Sequence, residues 1–181
     1  MTVAWSAAAG AHAVQFYDDE RFLHRAIAAF FAEGLDNGEP LVMIARPQTF
    51  EAVVEHVASA RGVSPIEAVS RILFVDVATA RHEFLNGVTP DPARLEQSVS
   101  RLLAGARRGG QGGTIWLYGE TVDVLCKEGH YAAAARLEEL WNTLFIGPGM
   151  SVLCGYAIDN FDDDVSARHL RAICGQHTYV F

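Results

Sequence analysis

An α/β fold, a three-layer sandwich with a mainly parallel central sheet and helices on both faces, is predicted by three features of this sequence. Its strand candidates, such as Leu41–Ala45 and Ile72–Val75, are unbroken apolar runs rather than alternating ones, the pattern of strands covered on both sides. Those runs alternate with stretches whose apolar residues recur at helical spacing. The chain has 181 residues and is 50% apolar, enough for one good core and too apolar for disorder.

Residues 1–10 read as a tail and 11–181 as one domain, with no repeat or linker to divide it. His12–Tyr17 is the first strand, with His12, Val14 and Phe16 on one face. Asp18 and Asp19 supply a helix N-cap, and Phe22, Leu23, Ala26, Ile27, Phe30 and Phe31 form that helix's apolar stripe. Gly34 and the Asn37–Gly38 pair close it. After the strand Leu41–Ala45, Pro47 and Thr49 open a second helix with Phe50, Val53, Val54 and Val57 inward. Ile72–Val75 is the next buried strand, ending at Asp76. A helix from Pro92 to Arg108 follows, then a glycine-rich turn over Gly109–Gly113. Thr114–Tyr118 is a fourth strand, and two helices succeed it: Thr121–Lys127, and one carrying Leu137, Leu140, Trp141, Leu144 and Phe145. Gly147–Gly149 breaks the second. Ser151–Ile158 is a fifth buried strand, and a last helix, Asp164–Cys174, precedes a short tail, Thr178–Phe181.

Formal net charge is −8, the wrong sign for gripping nucleic acid or an anionic membrane unaided. No apolar run reaches spanning length, and Met1–Gly10 lacks the basic start and apolar stretch of a secretion signal. Cys126, Cys154 and Cys174 are odd in number and widely spaced, which fits reduced thiols of a cytoplasmic protein. Homodimerisation is left open.

Open α/β sheets bind ligands beyond the carboxyl ends of their strands. That rule selects Tyr17, Asp18, Arg46, Asp76, Glu120 and the segment Tyr156–Asp159. These can orient a small molecule, but they make no catalytic arrangement. A nucleotide-hydrolysing relative would place GxxxxGK[ST] between the first strand and helix, where backbone amides and a lysine hold phosphates. Here the junction reads Phe16-Tyr-Asp-Asp-Glu-Arg-Phe-Leu23, and its three acidic residues would repel a triphosphate. The Gly109–Gly113 stretch precedes a strand, so no helix N-terminus faces a bound anion there. His169, Cys174 and His177 match no common zinc spacing. Asp162–Asp164 lacks the glycine and distal glutamate of a calcium loop. No nucleophile elbow or activated-cysteine motif occurs.

Several single residues carry two readings. His12 is a proton-switchable ligand contact or a partly buried histidine bonded to backbone. Glu120 is a functional carboxylate or the cap of the helix after it. Glu138, one turn from Trp141, touches ligand or makes a buried hydrogen bond that fixes its helix to the sheet. Trp116 and Trp141 are core, or line an apolar pocket.

Three segments together resemble a known family: His12-Ala-Val-Gln-Phe-Tyr-Asp-Asp19 with Gly34-Leu and Gly38-Glu-Pro-Leu41; Tyr118-Gly-Glu120 with Leu137-Glu-Glu-Leu-Trp-Asn142; and Leu153-Cys-Gly-Tyr156. In that order the chain resembles the MEDS family, a sensory domain of regulators in methanogens, methylotrophs and dichloromethane metabolism. The resemblance implies a RecA-like core, related to the circadian-clock ATPases, with a degenerate phosphate loop and no Walker A motif. It also implies sensing of hydrocarbon derivatives or other small molecules, beside histidine-kinase, DNA-binding or anti-sigma output modules. The motif positions are His12, Phe16, Tyr17, Glu120, Glu138 and Trp141. With Asp18, Arg46 and Asp76 they form the expected ligand-binding set, with no catalytic residue, metal or cofactor. The expected function is a non-catalytic small-molecule sensor that signals to a protein partner such as a kinase or regulator. The alternatives are a ligand-free adaptor for a histidine kinase or sigma-factor regulator, and an atypical nucleotide binder.

Overall fold

A computed structural model describes residues 10–109, 112–147, 149–164 and 166–181. The predicted tail therefore lies almost wholly outside the described residues, as do Gly110 and Gln111 of the glycine-rich turn and Pro148 of the Gly147–Gly149 break. In chain order the elements are β1 (His12–Tyr17), α1 (Glu20–Asn37), β2 (Leu41–Ala45), α2 (Pro47–Arg61), α3 (Pro65–Ser70), β3 (Ile72–Asp76) and α4 (Val77–Phe84). A two-residue hairpin follows, β4 (Leu85–Asn86) with β5 (Thr89–Pro90), then α5 (Pro92–Gly109), β6 (Ile115–Gly119), α6 (Thr121–Lys127) and α7 (Tyr131–Leu144). The chain ends with β7 (Met150–Ala157), a 3₁₀ turn (Ile158–Phe161), α8 (Ser166–Cys174) and β8 (Tyr179–Val180).

Six strands make one sheet in the order β3-β2-β6-β7-β1-β8, and every neighbouring pair is parallel. Each face buries its own apolar cluster. Leu23, Ile27, Phe30 and Phe31 of α1 and Val53, Val54 and Val57 of α2 cover one face over Met43 and Tyr118. The other face is covered by α4 to α8, through residues such as Phe84, Leu95, Val99, Leu125, Leu137 and Ile173. The three-layer α/β sandwich read from the apolar runs is what the chain forms. Among the described residues no helix is long and apolar enough to cross a membrane.

Local chemistry explains most boundaries. Asp19 caps α1 by accepting from the Arg21 amide, and Gly38, at φ 67°, ends it in the left-handed region. Pro47 and Pro65 stand in the first turns of α2 and α3, where their missing amide costs nothing.

The structure also corrects the sequence reading. The chain after Val57 holds the unanticipated α3, capped by Ser64, and Asp76 caps the unanticipated α4 by accepting from the Ala78 amide at 2.8 Å. β3 is an edge strand rather than a fully buried one, and Leu73 is 38% exposed. The supposed tail contains β8, which pairs with β1 through Ala13–Tyr179 and Val14–Val180.

Gly34 does not end α1 but lies inside it, against the sheet. A Cβ there would stand 2.5 Å from Trp116 Cδ1 and 2.6 Å from Leu41 Cδ2. The glycine is required by this close approach, not by its backbone angles. Gly34→Ala is therefore expected to lower the unfolding free energy by roughly 1–3 kcal/mol, read from urea denaturation. A stabilised variant, the result for an open helix interior, would contradict the packing.

Candidate functional site

Connections locate the crevice. From β2 the chain passes through α2, on the face shared with α1, outward to β3. From β6 it passes through α6 and α7, on the opposite face, to β7. Neighbouring strands β2 and β6 thus send their connections in opposite directions, which makes the gap between their carboxyl ends the switch point. Arg46 follows β2 and Glu120 follows β6, so the two meet there.

Glu120 is fully buried, and its carboxylate is matched on every side. Arg46 donates from its backbone N–H to Oε2 at 2.6 Å and from Nη2 to Oε1 at 2.7 Å. Thr49 Oγ1 donates to Oε1 at 3.0 Å. The carboxylate sits at the N-terminus of α2, where the helix dipole favours an anion. Glu120 occupies the N-cap position of α6 but makes no side-chain cap hydrogen bond, so the capping alternative falls. The Glu120 hydrogen bond and charge outweigh burial and hold the Arg46 guanidinium above its already high ordinary pKa.

A second carboxylate, Asp123 on α6, closes the crevice beside β1 and β7. Its Oδ1 accepts from the Ala157 amide and from Asn160 Nδ2, both at 2.8 Å. Its Oδ2 accepts from Tyr17 Oη at 3.2 Å and pairs with Lys127 Nζ at 2.9 Å. Burial, then the charges of Asp123 and Glu120, push the Tyr17 phenol far above its ordinary range. Beside the Arg46–Glu120 pair lies a cavity of about 360 Å³ lined by Glu20, His24, Arg46, Gln48 and Thr49. Burial draws the His24 imidazole below its usual value. Two buried polar atoms of this region, Arg46 Nε and Tyr118 Oη, have no hydrogen-bond partner among the described residues.

The expected ligand set divides. Tyr17, Arg46 and Glu120 converge at the switch point. Asp18 is exposed, and Asp76 spends a carboxylate oxygen capping α4. Phe16 stacks on Tyr156 and meets Phe161 edge-on, while Trp141 packs on Phe84 and Phe145 in the opposite core. His12 and Glu138 lie under the other sheet face, where they meet Cys154, Tyr156 and His177. There Tyr156 Oη donates to Glu138 Oε1 at 2.7 Å, the buried helix-to-sheet hydrogen bond given as one reading of Glu138. His12 is fully buried and bonded to side chains, not backbone: its Nδ1 lies 2.9 Å from Asn142 Oδ1. Burial works against a charged Glu138, yet His177 and His12 beside it prevail and hold its carboxyl below the ordinary range.

Asp123, Lys127 and Asn160 were not anticipated, because they come from the helix and turn beyond two different strands. Asp123 alone left a trace, an acid in the first turn of a short apolar helix.

Fold and crevice define the class: a doubly covered parallel α/β domain whose switch point is filled by its own ion pairs. The chain belongs to the MEDS family, whose model, described as MEthanogen/methylotroph, DcmR Sensory domain, matches residues 11–172. Membership supports a sensory role. Among curated proteins none matches the sequence. A solved structure with a similar fold is that of an uncharacterized protein from Pyrococcus horikoshii in complex with an unknown peptide, with 13% identity, a TM-score of 0.59, and coverage of 94% of this chain and 76% of that one. At that identity the likeness speaks for the fold alone.

Two outcomes test the crevice. Arg46→Met strands the buried Glu120 charge and is expected to cost about 3–5 kcal/mol in urea unfolding. The double variant with Glu120→Gln should recover part of that loss, and simple additivity would mean the pair is not coupled. The second concerns pH. Tyr17 and Tyr118 have folded-state pKa values raised, first by burial, above the ordinary 10.0. Their contribution to stability is thus complete below pH 10 and is lost as pH climbs past it. In a spectrophotometric titration both phenols should stay protonated beyond pH 10 until the protein unfolds; reversible ionisation of either near pH 10 in the folded state would refute this.

Proposed function

We propose that this chain is a non-catalytic sensor that binds a small neutral molecule at the β2–β6 switch point and signals the change to a protein partner. The observation that carries the reading is the cavity beside Arg46, a residue whose Nε is buried without a partner among the described residues. Charge selects the ligand class. An anion drawing Arg46 away would leave Glu120 buried and uncompensated, at a cost of several kcal/mol. A neutral hydrocarbon derivative bearing a carbonyl or hydroxyl oxygen can accept from Arg46 without breaking the pair. The same argument disfavours a nucleotide, as do Asp18, Asp19 and Glu20, which stand where a phosphate loop would offer glycine amides and a lysine. The acidic turn fits a RecA-like core with a degenerate phosphate loop. The three free cysteines fit the cytoplasm.

A second reading, capture of a peptide segment of a kinase or regulator, draws on the similar structure solved with an unknown peptide. It is also favoured by exposed apolar residues near the β3 edge: Ile66 and Val69 on α3, and Leu73. An open strand edge is a template for an added strand.

Native mass spectrometry of the purified chain, set against its denatured mass, should show a retained small molecule and give its class. Tyr17→Phe and Glu120→Gln, each folded by circular dichroism, should bind that molecule at least about tenfold more weakly, equivalent to about 1.4 kcal/mol. Unchanged affinity in both variants would remove the site. Loss of partner capture in Leu73→Asp, with the crevice variants silent, would favour the peptide reading.

A further inference from the structure

The buried cluster beneath β1 and β7 has its own geometry. Four donor atoms from four separate segments, one each from His12 on β1, Glu138 on α7, Cys154 on β7 and His177 between α8 and β8, all lie within 4.8 Å of one another. Individual edges are 3.2 Å from His12 Nε2 to Glu138 Oε2, 3.4 Å from Cys154 Sγ to Glu138 Oε2, 3.5 Å from Cys154 Sγ to His12 Nε2, and 3.4 Å from His177 Nε2 to Glu138 Oε1. A tetrahedral centre with bonds of about 2.0–2.3 Å has donor–donor edges of roughly 3.3–3.8 Å. The edges among His12 Nε2, Cys154 Sγ and Glu138 Oε2 lie close to that range, and the His177 nitrogen stands within 4.8 Å of the other donors.

Hydrogen bonds around the cluster fix which ring nitrogens face it. His177 Nδ1 lies 2.7 Å from the Ile173 carbonyl oxygen, which can only accept, so Nδ1 carries the proton. Asn142 Nδ2 donates to the Gln176 carbonyl at 2.7 Å, which turns its Oδ1 toward His12 Nδ1 and places the proton there too. Both Nε2 atoms therefore face the Glu138 carboxylate. His177 Nε2 is buried 3.4 Å from Glu138 Oε1 and has no well-aligned hydrogen bond among the described residues. Without a metal, a proton on one ring balances the Glu138 carboxylate, whereas protons on both rings leave a net positive charge in a buried site. A divalent cation with two neutral imidazoles, a carboxylate and a thiolate leaves none. The outward Nδ1–H groups bonded to oxygen acceptors are the supports that metal-bound histidines use.

We propose that His12 Nε2, Glu138, Cys154 Sγ and His177 Nε2 form a binding site for a borderline divalent transition metal of the zinc type. The mixed nitrogen, oxygen and sulfur donors suit such an ion and not calcium or magnesium. Binding releases the Cys154 thiol proton to solvent. Because the ligands come from four segments, the ion would tie the C-terminal α8–β8 segment to the sheet. The site is separate from the switch-point crevice and departs from the sequence expectation of no resident metal. Of the His169, Cys174 and His177 group weighed there, only His177 takes part; the ring of His169 stacks on Tyr131.

The test is a titration of the full chain, stripped with a chelator, with Zn(II) against a chromophoric competitor, and with Co(II) read by absorption. One equivalent should bind, and Co(II) should give tetrahedral visible bands with a thiolate-to-cobalt charge-transfer band. Cys154→Ser should abolish that band, and His177→Gln should weaken Zn(II) binding by more than about 100-fold. Both variants are checked for fold by circular dichroism. Cys174→Ser and His169→Gln should bind as the parent does. Zn(II) should raise the melting temperature of the parent and not of Cys154→Ser. Failure of the folded parent to bind one equivalent, or a charge-transfer band that survives Cys154→Ser, would overturn the assignment.

Discussion

A carboxylate with no access to solvent must be answered by the fold, and Glu120 is the point where this structure meets that demand. Burying it unpaired would cost several kcal/mol. The answer comes from the start of α2: the Arg46 amide, the Arg46 guanidinium and the Thr49 hydroxyl all converge on the one group. That convergence fixes the carboxyl ends of β2 and β6 against each other, just where their connections part to opposite faces. Asp123 does the same for β1 and β7 through Tyr17 and the Ala157 amide. The end of the sheet where α/β proteins hold ligands is thus laced by two internal anions. A ligand there has to work with that lacing, which is why charge, more than shape, narrows its class.

How much of this could be read beforehand varied with the range of the signal. β1, with His12 and Gln15 inside it, was legible from His12, Val14 and Phe16 sharing one face. Continuous apolar runs gave β2, β6 and β7 nearly to the residue, because such a run leaves little polar character to blur it. β3 reads alike in sequence, yet it lies at the sheet edge with Leu73 outward; a run records hydrophobicity, not which neighbours arrive. Gly34 looked like a helix stop because local rules cannot see Trp116, 82 positions later in the chain, pressing on it. β8 was hidden because two residues carry no period, and its pairing with β1 is set by where α8 delivers the chain. In the crevice Arg46, Glu120 and Tyr17 were legible through the strand-end rule. Asp123 and Asn160 were not, because they reach it from a helix and a turn.

The pair of motif residues His12 and Glu138 shows the same limit from the other side. Sequence placed them in one ligand set with Glu120, since position along a motif carries no information about which face of the sheet a residue occupies. Alternation along β1 separates them: His12, Val14 and Phe16 point to one layer, and Ala13 and Tyr17 to the other. Cys154 and Tyr156 face the same layer as His12 because they stand two apart on the neighbouring strand, in register with Val14 and Phe16. One strand pairing thus brings His12 beside Cys154 and Tyr156, and α7 and the segment after α8 deliver Glu138 and His177 to them.

That pairing also means the two polar centres are not mechanically independent. β1 carries His12 at its start and Tyr17 at its end, on opposite faces, and β7 carries Cys154 and Tyr156 just before the amide that binds Asp123. On its outer side β1 pairs with the two-residue β8 and bonds Thr178 and Phe181 through the backbone, and short edge elements of that kind lie at the low end of local stability. The end of β1 places the Tyr17 hydroxyl 3.2 Å from Asp123 Oδ2. For a sensor this arrangement has a thermodynamic requirement: the ligand must favour one placement of β1 over the other, since equal affinity for both shifts nothing. In this fold β1 is the strand the two polar centres share, paired with β7 along its whole length and with β8 over two residues.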